Sequence, residues 1–112
     1  MAIKKRIILI DLDGVLNEYT GKFEKELIPD MKIGADLFLE KLAQEFEIKI
    51  FTTRNKLLTA KWLIRNNLDK YVEDITNTKD LTWLYVDDRT VCFEGDYLKT
   101  FDNIKNFKPY WK

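Results

Sequence analysis

The stretch that decides the fold is the apolar run Arg6–Ile10 (RIILI), followed directly by Asp11-Leu12-Asp13-Gly14. The run is short and does not alternate with polar residues, which is typical of a strand buried on both faces of a sheet. Two carboxylates then stand at i and i+2 where that strand ends. Carboxylates this close repel each other and favour a bound cation, usually Mg²⁺. Gly14 permits a tight turn and a close approach of the backbone to a ligand.

Strands alternate with helices along the rest of the chain. The apolar residues of the first helix recur at i, i+3, i+4, i+7 and i+8, and Asn55 is a favoured residue to cap the second. The predicted elements are a helix over Ala35–Phe46 opened by Gly34, a strand over Ile48–Phe51, a helix from Asn55 to about Asn67, strands over Val72–Ile75, Trp83–Val86 and Val91–Phe93, and a terminal helix over Tyr97–Phe107.

This alternation within 112 residues predicts one domain, 1–112, of the α/β class. The expected architecture is a Rossmann-like three-layer sandwich around a mostly parallel central sheet. In such sheets ligands bind at the carboxyl ends of the strands, near the point where strand order reverses. Three predicted strands end in the polar residues Asp11, Thr52 and Asp87, so we expect these to meet at one edge of the sheet.

Further polar residues at this edge could take part in phosphate chemistry. Asp87-Asp88 is a second acidic pair, Thr52 offers a hydroxyl with backbone N–H beside it, and Lys79 shortly precedes the strand before Asp87. Each has an ordinary alternative: a solvated acidic turn, a threonine at a helix start, or a surface lysine. Together they could provide a carboxylate that attacks phosphorus and cations that neutralise the phosphoryl charge.

Composition excludes several classes of protein. Lys plus Arg and Asp plus Glu each number 19, so the chain lacks the basic excess of a dedicated nucleic-acid binder. The chain has no histidine, which excludes a His-based catalytic pair, and Cys92 alone cannot form an intramolecular disulfide. The apolar run that ends at Ile10 is too short for a signal core or a spanning helix. A cytoplasmic protein without a membrane partner is therefore expected.

These motifs resemble, in kind and in order, those of the haloacid dehalogenase (HAD) superfamily of Mg²⁺-dependent phosphohydrolases. The matching segments are Ile8–Val15, Ile50–Arg54, Lys79 and Tyr85–Arg89, which together span most of the chain. The first motif is fairly specific, and the four in this order are strongly so. The resemblance implies a phosphatase that hydrolyses a phosphate monoester and uses Mg²⁺ as its cofactor.

By this resemblance Asp11 would be the nucleophile that forms an aspartyl-phosphate. Asp13 would be the general acid/base, protonating the leaving oxygen and then activating water. The Mg²⁺ would be held by the Asp11 carboxylate, the Asp13 main-chain carbonyl, and the acidic pair Asp87 and Asp88. Of that pair, Asp88 is the favoured direct ligand.

The resemblance also assigns the phosphate-binding groups. Thr52 and Lys79 would hold the phosphoryl oxygens, with the Gly14 backbone close by. Arg54 is placed either to contact phosphate or substrate or to serve at the start of the helix.

The chain leaves no room for the cap domain that many family members insert. Leu16–Leu27, with Thr20-Gly21 as a turn, instead predicts a small β-hairpin flap over about residues 15–28. The site would then be open, which suits either a macromolecular phosphate end or a small phosphate enclosed by a homo-oligomer. Tyr110 and Trp111 could mark such an oligomer contact or pack back on the core.

Three other functions remain open. A response-regulator receiver shares the length and the sheet, but it needs Asp after the middle strand and Thr or Ser later, the reverse of the order here. A HAD-like non-catalytic binding or regulatory protein would keep the same motifs.

A polynucleotide-end phosphatase would use a basic rim around the site. The net neutrality of the chain gives this function little support, so a phosphorylated small molecule is the favoured substrate. The rim residues would be Lys22, Lys25, Lys56, Lys61 and Arg65, among which lie Glu18, Glu24 and Glu26.

Overall fold

A parallel sheet organises the part of the chain that this computed structural model describes, residues 5–78 and 82–112. The predicted phosphate ligand Lys79 lies outside the described residues. In chain order the elements are β1 (Arg6–Asp11), α1 (Ala35–Ala43), β2 (Phe46–Phe51), α2 (Lys56–Arg65), a 3₁₀ turn (Asp69–Tyr71), β3 (Asp74–Thr76), β4 (Leu84–Val86) and α3 (Tyr97–Lys105).

The four strands lie in the order β3-β2-β1-β4, and every pairing is parallel. Ile10 pairs with Ile50 on one side and with Val86 on the other, so β1 is a central strand. The predicted α/β, Rossmann-like sandwich with a parallel central sheet is confirmed. Strand order reverses at β1, because β2 and β3 build outward on one side and β4 on the other.

The core lies on the face of the sheet to which alternate strand residues point. Ile8, Ile10, Ile48 and Ile50 are almost completely buried there. They share one apolar cluster with residues of both α1 and α2, namely Ala35, Leu39, Trp62 and Leu63. Burying each large aliphatic side chain contributes about 1.5–3 kcal/mol. This cluster therefore holds the central strands in register and fixes where their carboxyl ends stand.

The two core helices begin where the sequence predicts. Gly34 precedes α1 with a φ of 94°, a conformation that side chains rarely adopt. The Asn55 side chain caps α2 by accepting a hydrogen bond from the Leu58 backbone at 3.0 Å. The predicted end of α1 at Phe46 was wrong: the helix ends at Ala43, because Phe46 already pairs with Arg6 as the first residue of β2.

The predicted β-hairpin flap is present as a loop rather than as a regular hairpin. Its stems meet at one antiparallel bridge, Asn17 with Met31, supported by the hydrogen bond from the Glu18 amide to Asp30. Carbonyl groups of Glu24 and Leu27 accept hydrogen bonds from outside the loop instead of from an opposite strand. A ladder cannot extend through backbone groups that are engaged elsewhere.

The C-terminal third differs from the sequence prediction in one element. Val91–Phe93 is not a strand, and β4 is followed by an irregular segment that leads to α3. The α3 helix is capped by Asp96, as its sequence favours, but none of its residues is buried, and Leu98 is 81% exposed. Within residues 5–78 and 82–112, no helix has both the length and the apolar character needed to cross a membrane.

Candidate functional site

The candidate site lies at the carboxyl edge of the sheet, where strand order reverses. Asp11 ends β1, Asp87 and Asp88 follow β4, and Thr52 follows β2. Because the strands are parallel and in register, their ends meet at one edge. Ligands of open α/β sheets bind at this kind of position. The convergence of Asp11, Thr52 and Asp87 at one edge, expected from the sequence, is observed.

Three carboxylates form an acidic cluster, which we define as Asp11, Asp87 and Asp88. One oxygen from each lies within 4.8 Å of the other two. Burial, together with the negative charges of Asp87, Asp88 and Asp13, raises the pKa of Asp11 to about 8. Three carboxylates this close carry a repulsion that a divalent cation would remove.

Asp88 occupies a confined position within the acidic cluster. A Cβ added to Gly14, whose φ is 83°, would lie 1.9 Å from Asp88 Oδ2, so only glycine leaves room for this carboxylate. The Trp111 indole Nε1 donates a hydrogen bond to the same oxygen at 2.6 Å. Burial raises the pKa of Asp88, and the hydrogen bond from Trp111 opposes that rise.

The donor set of the acidic cluster fits Mg²⁺. Carboxylate oxygens are the hard ligands that this ion prefers, and it binds through one or two of them while retaining several waters. The close approach of Asp88 to Gly14 shows that the cluster is tightly built, with no room for a larger residue at the turn. Asp11, Asp87 and Asp88 are therefore the residues that could hold the ion.

Asp13 lies outside the acidic cluster and has a cation of its own. Arg54 Nε donates to both Asp13 oxygens, at 2.9 and 3.1 Å. Asn17 Nδ2 donates to Asp13 Oδ1 at 3.0 Å. The side-chain oxygen Oδ1 of Asn17 in turn accepts hydrogen bonds from the backbone amides of Gly14 and Tyr19. The Arg54 and Asn17 side chains therefore fix the orientation of the Asp13 carboxylate, and Asn17 connects it to the turn that follows β1.

The structure gives Arg54 a partner that the sequence analysis did not predict. Its side chain is only 1% exposed and pairs with Asp13, where a contact with phosphate or a helix-start role was expected. Nη1 donates to the flap carbonyls of Glu24 and Leu27, and the Phe23 ring covers the guanidinium at 4.6 Å. Among the described residues, Nη2 has no hydrogen-bond partner. Arg54 therefore joins Asp13 to the flap.

Thr52 is buried at the end of β2, and its hydroxyl oxygen accepts a hydrogen bond from the Arg54 amide at 3.1 Å. No group among the described residues accepts a hydrogen bond from this hydroxyl, so its proton is available to a ligand. The backbone N–H of Thr52 itself is not free, because it donates to the Thr76 carbonyl and continues the pairing of β2 with β3. Any contact of Thr52 with phosphate must therefore use the hydroxyl.

Sequence reasoning missed Asn17 as a site residue and left the role of Tyr110 and Trp111 open. Asn17 is fully buried four residues after Asp13, and a polar residue at that distance was the available signal. Trp111 contacts Asp88, and the Tyr110 hydroxyl donates to the Gly14 carbonyl. Trp111 is half-buried and packs back onto the fold, whereas Tyr110 is 61% exposed, and the oligomer contact stays a prediction.

A cleft of about 370 Å³ leads to the acidic cluster from the sheet face opposite α1 and α2. Asp11 and Asp87 line the cleft at the edge of the sheet, and Leu9, Phe51 and Tyr85 form its floor on the face of the sheet. A ligand with a charged end and an apolar body would match this lining.

Comparison with known proteins supports the fold. No family model matches the chain, and no curated protein matches it. A solved structure described as a conserved protein from Bacteroides thetaiotaomicron is similar, with a TM-score of 0.62 and 21% sequence identity. The match covers 96% of this chain and 95% of that chain. At this identity the likeness shows a shared fold and nothing about activity.

Proposed function

We propose that this protein is a phosphatase of the HAD type that hydrolyses a phosphate monoester with Mg²⁺ as cofactor. The observation that carries the proposal is the acidic cluster at the end of the central strand, beside an Asp13 that has a separate cationic partner. This arrangement provides two aspartates, two residues apart, with different environments. Such a difference suits the two carboxylates to different roles, and a bound cation would keep Asp11 ionised so that it can attack.

Asp11 is the proposed nucleophile. Its carboxylate stands at the end of β1, where the cleft that could admit a substrate reaches the sheet edge. An Asp11 oxygen attacks phosphorus, the bond to the leaving oxygen breaks, and an aspartyl-phosphate forms. Water then attacks that phosphorus and returns Asp11 with release of inorganic phosphate.

Asp13 is the proposed general acid/base. It would donate a proton to the leaving oxygen in the first step and take one from the attacking water in the second. Its hydrogen bonds from Arg54 and Asn17 hold the carboxylate in a single orientation. Arg54 is then a positioning residue, because it acts on the reaction through Asp13.

The bound cation would supply charge neutralisation for the phosphoryl group and for the acidic cluster. Asp11, Asp87 and Asp88 are the side chains that would hold it. The Thr52 hydroxyl could donate a hydrogen bond to a phosphoryl oxygen. The cleft floor formed by Leu9, Phe51 and Tyr85 favours a small substrate with an apolar portion. We further propose that the reaction takes place in the cytoplasm.

Phosphate release from an aryl phosphate, with and without Mg²⁺, tests this proposal. We expect Mg²⁺-dependent turnover that falls at least about 10³-fold in Asp11→Asn, since the nucleophile is lost. Asp102→Asn, which changes an exposed aspartate on α3, is the matched control and should retain activity.

The same assay separates the alternative functions. Turnover that persists in Asp11→Asn would overturn the nucleophile assignment. Activity on oligonucleotide phosphate ends alone, with a steep dependence on salt, would support the polynucleotide-end phosphatase. Binding of Mg²⁺ without turnover on a broad panel of phosphate esters would support the non-catalytic binding protein.

A further inference from the structure

We propose that the C-terminal pair Tyr110 and Trp111 belongs to the site and positions Asp88 for the cation. The inference rests on the proposed function, because it assumes that the acidic cluster binds a divalent ion. It adds two positioning residues that lie outside all the motifs on which the HAD resemblance depends. These residues follow Asp88 by more than 20 positions and reach the site only through the fold.

Trp111 is held so that its N–H points at one carboxylate oxygen. Nε1 donates a short hydrogen bond to Asp88 Oδ2 at 2.6 Å. The indole ring packs edge-on against Tyr19, with 5.8 Å between ring centroids. On another side it lies so close to Gly21 that a Cβ there would be 2.8 Å from the ring. Tyr19 and Gly21 both belong to the flap, so the flap holds the indole ring in place. The position of the ring in turn directs the N–H at Asp88.

Tyr110 contacts the turn against which Asp88 packs. Its hydroxyl donates to the Gly14 carbonyl, and Gly14 is the residue against which Asp88 packs. The Lys32 ammonium lies 5.0 Å from the centre of the Tyr110 ring and adds a cation–π contact. The pair therefore joins the turn after β1 to the turn after β4, and these are the two turns that carry the acidic cluster.

The hydrogen bond from Trp111 leaves Asp88 able to bind a cation. A carboxylate has two oxygens and about four acceptor sites, so one hydrogen bond to Oδ2 leaves acceptor sites for a cation. The indole N–H can only donate, so it orients the carboxylate without competing for the cation. Without this contact the cation itself would have to fix the orientation of the carboxylate, at a cost in affinity. Loss of such an outer partner typically weakens metal binding about 10–100-fold.

Calorimetric titration of the full chain with Mn²⁺, used as a probe for the divalent site, tests the inference. We expect Trp111→Phe, which keeps a ring and removes the N–H, to weaken Mn²⁺ binding about 10-fold or more. Tyr110→Phe should weaken it less, because its effect passes through Gly14. The matched control is Trp83→Phe, which changes an indole stacked on Phe46 at the opposite end of β4 and should leave the affinity unchanged.

A purely structural role for the tail predicts a different result. Trp111→Phe would then lower the melting temperature while its Mn²⁺ affinity stayed within twofold of the wild type, and the inference would be overturned. Tighter Mn²⁺ binding in Trp111→Phe would also overturn it and indicate that the tail obstructs the site. If the wild type binds Mn²⁺ and Asp88→Asn weakens binding, the metal site stands whatever Trp111→Phe shows. If the wild type binds no Mn²⁺, the proposed function fails and the inference fails with it.

Discussion

The two sides of the candidate site treat negative charge in opposite ways. On one side, Asp13 is paired with the buried Arg54 and receives a hydrogen bond from Asn17. On the other side, only two residues earlier in the chain, Asp11 joins Asp87 and Asp88, and its pKa is raised to about 8. The protein itself neutralises the charge of Asp13, whereas the three carboxylates of the acidic cluster repel one another. This contrast supports the proposed cation site and explains why Asp13 is held in a fixed orientation.

The largest expected effect comes from removing the carboxylate on the paired side. Asp13→Asn should lower kcat about 10²–10⁴-fold, the usual contribution of a general acid/base, with Mn²⁺ affinity changed much less. Steady-state kinetics and calorimetric titration of the same preparation measure the two quantities. If Asp13→Asn instead abolished Mn²⁺ binding and Asp88→Asn did not, the roles assigned to the two sides would be reversed.

Removing the cation of the paired side should destabilise the fold. Arg54→Met leaves the Asp13 charge without its cationic partner and removes the hydrogen bonds that Nη1 donates to the flap carbonyls of Glu24 and Leu27. We expect a loss of about 3 kcal/mol in the free energy of unfolding, measured by urea denaturation. Arg65→Met, at an exposed position on α2, is the control and should change it by less than about 0.5 kcal/mol. An equal, small effect of both substitutions would show that the pair with Asp13 contributes little.

Gly14→Ala tests the contact that confines the acidic side. The added methyl group meets Asp88, and we expect Mn²⁺ affinity to fall about 10-fold because the carboxylate must move. Gly34→Ala is the matched control, since it has a similar positive φ of 94° and open space around the new Cβ. Both variants should lose about 1 kcal/mol of stability from backbone strain, and only Gly14→Ala should lose affinity. Equal losses of affinity in the two would contradict the account of Asp88.

The last prediction concerns the dependence of stability on pH. In the metal-free protein the raised pKa of Asp11 means that the folded state binds a proton more tightly than the unfolded state does. The contribution of Asp11 to the free energy of unfolding is therefore present at low pH and is lost as pH rises from about 4 toward about 8. Melting temperatures measured across this range should show that decline, and Asp11→Asn should reduce it. Addition of Mg²⁺ should stabilise the protein most at the high end, where Asp11 is ionised. A flat profile in the metal-free wild type would indicate that Asp11 is not perturbed.

Much of the fold could be predicted from the sequence because the signals are local. The apolar run before Asp11 predicts a buried strand, the spacing of Ala35 and Leu39 predicts a helix, and Asn55 is a favoured residue to cap the next helix. The wrong predictions concern segments whose structure depends on pairing with residues far away in the sequence. Phe46 continues the helical pattern of α1, yet it lies in β2 because Arg6 pairs with it. Val91–Phe93 has strand composition but is not paired in the sheet.

The sequence by itself determined which residues meet at the edge of the sheet. In a parallel sheet the carboxyl ends of strands lie together, so a polar residue at each strand end is enough to predict that Asp11, Thr52 and Asp87 converge. Only the tertiary structure decided how these residues are partnered. Asp13 pairs with Arg54, 41 residues away, and Asp88 accepts a hydrogen bond from Trp111, 23 residues away. Such contacts depend on the paths of the flap and the C-terminal segment over the site, and no local pattern of residues encodes those paths.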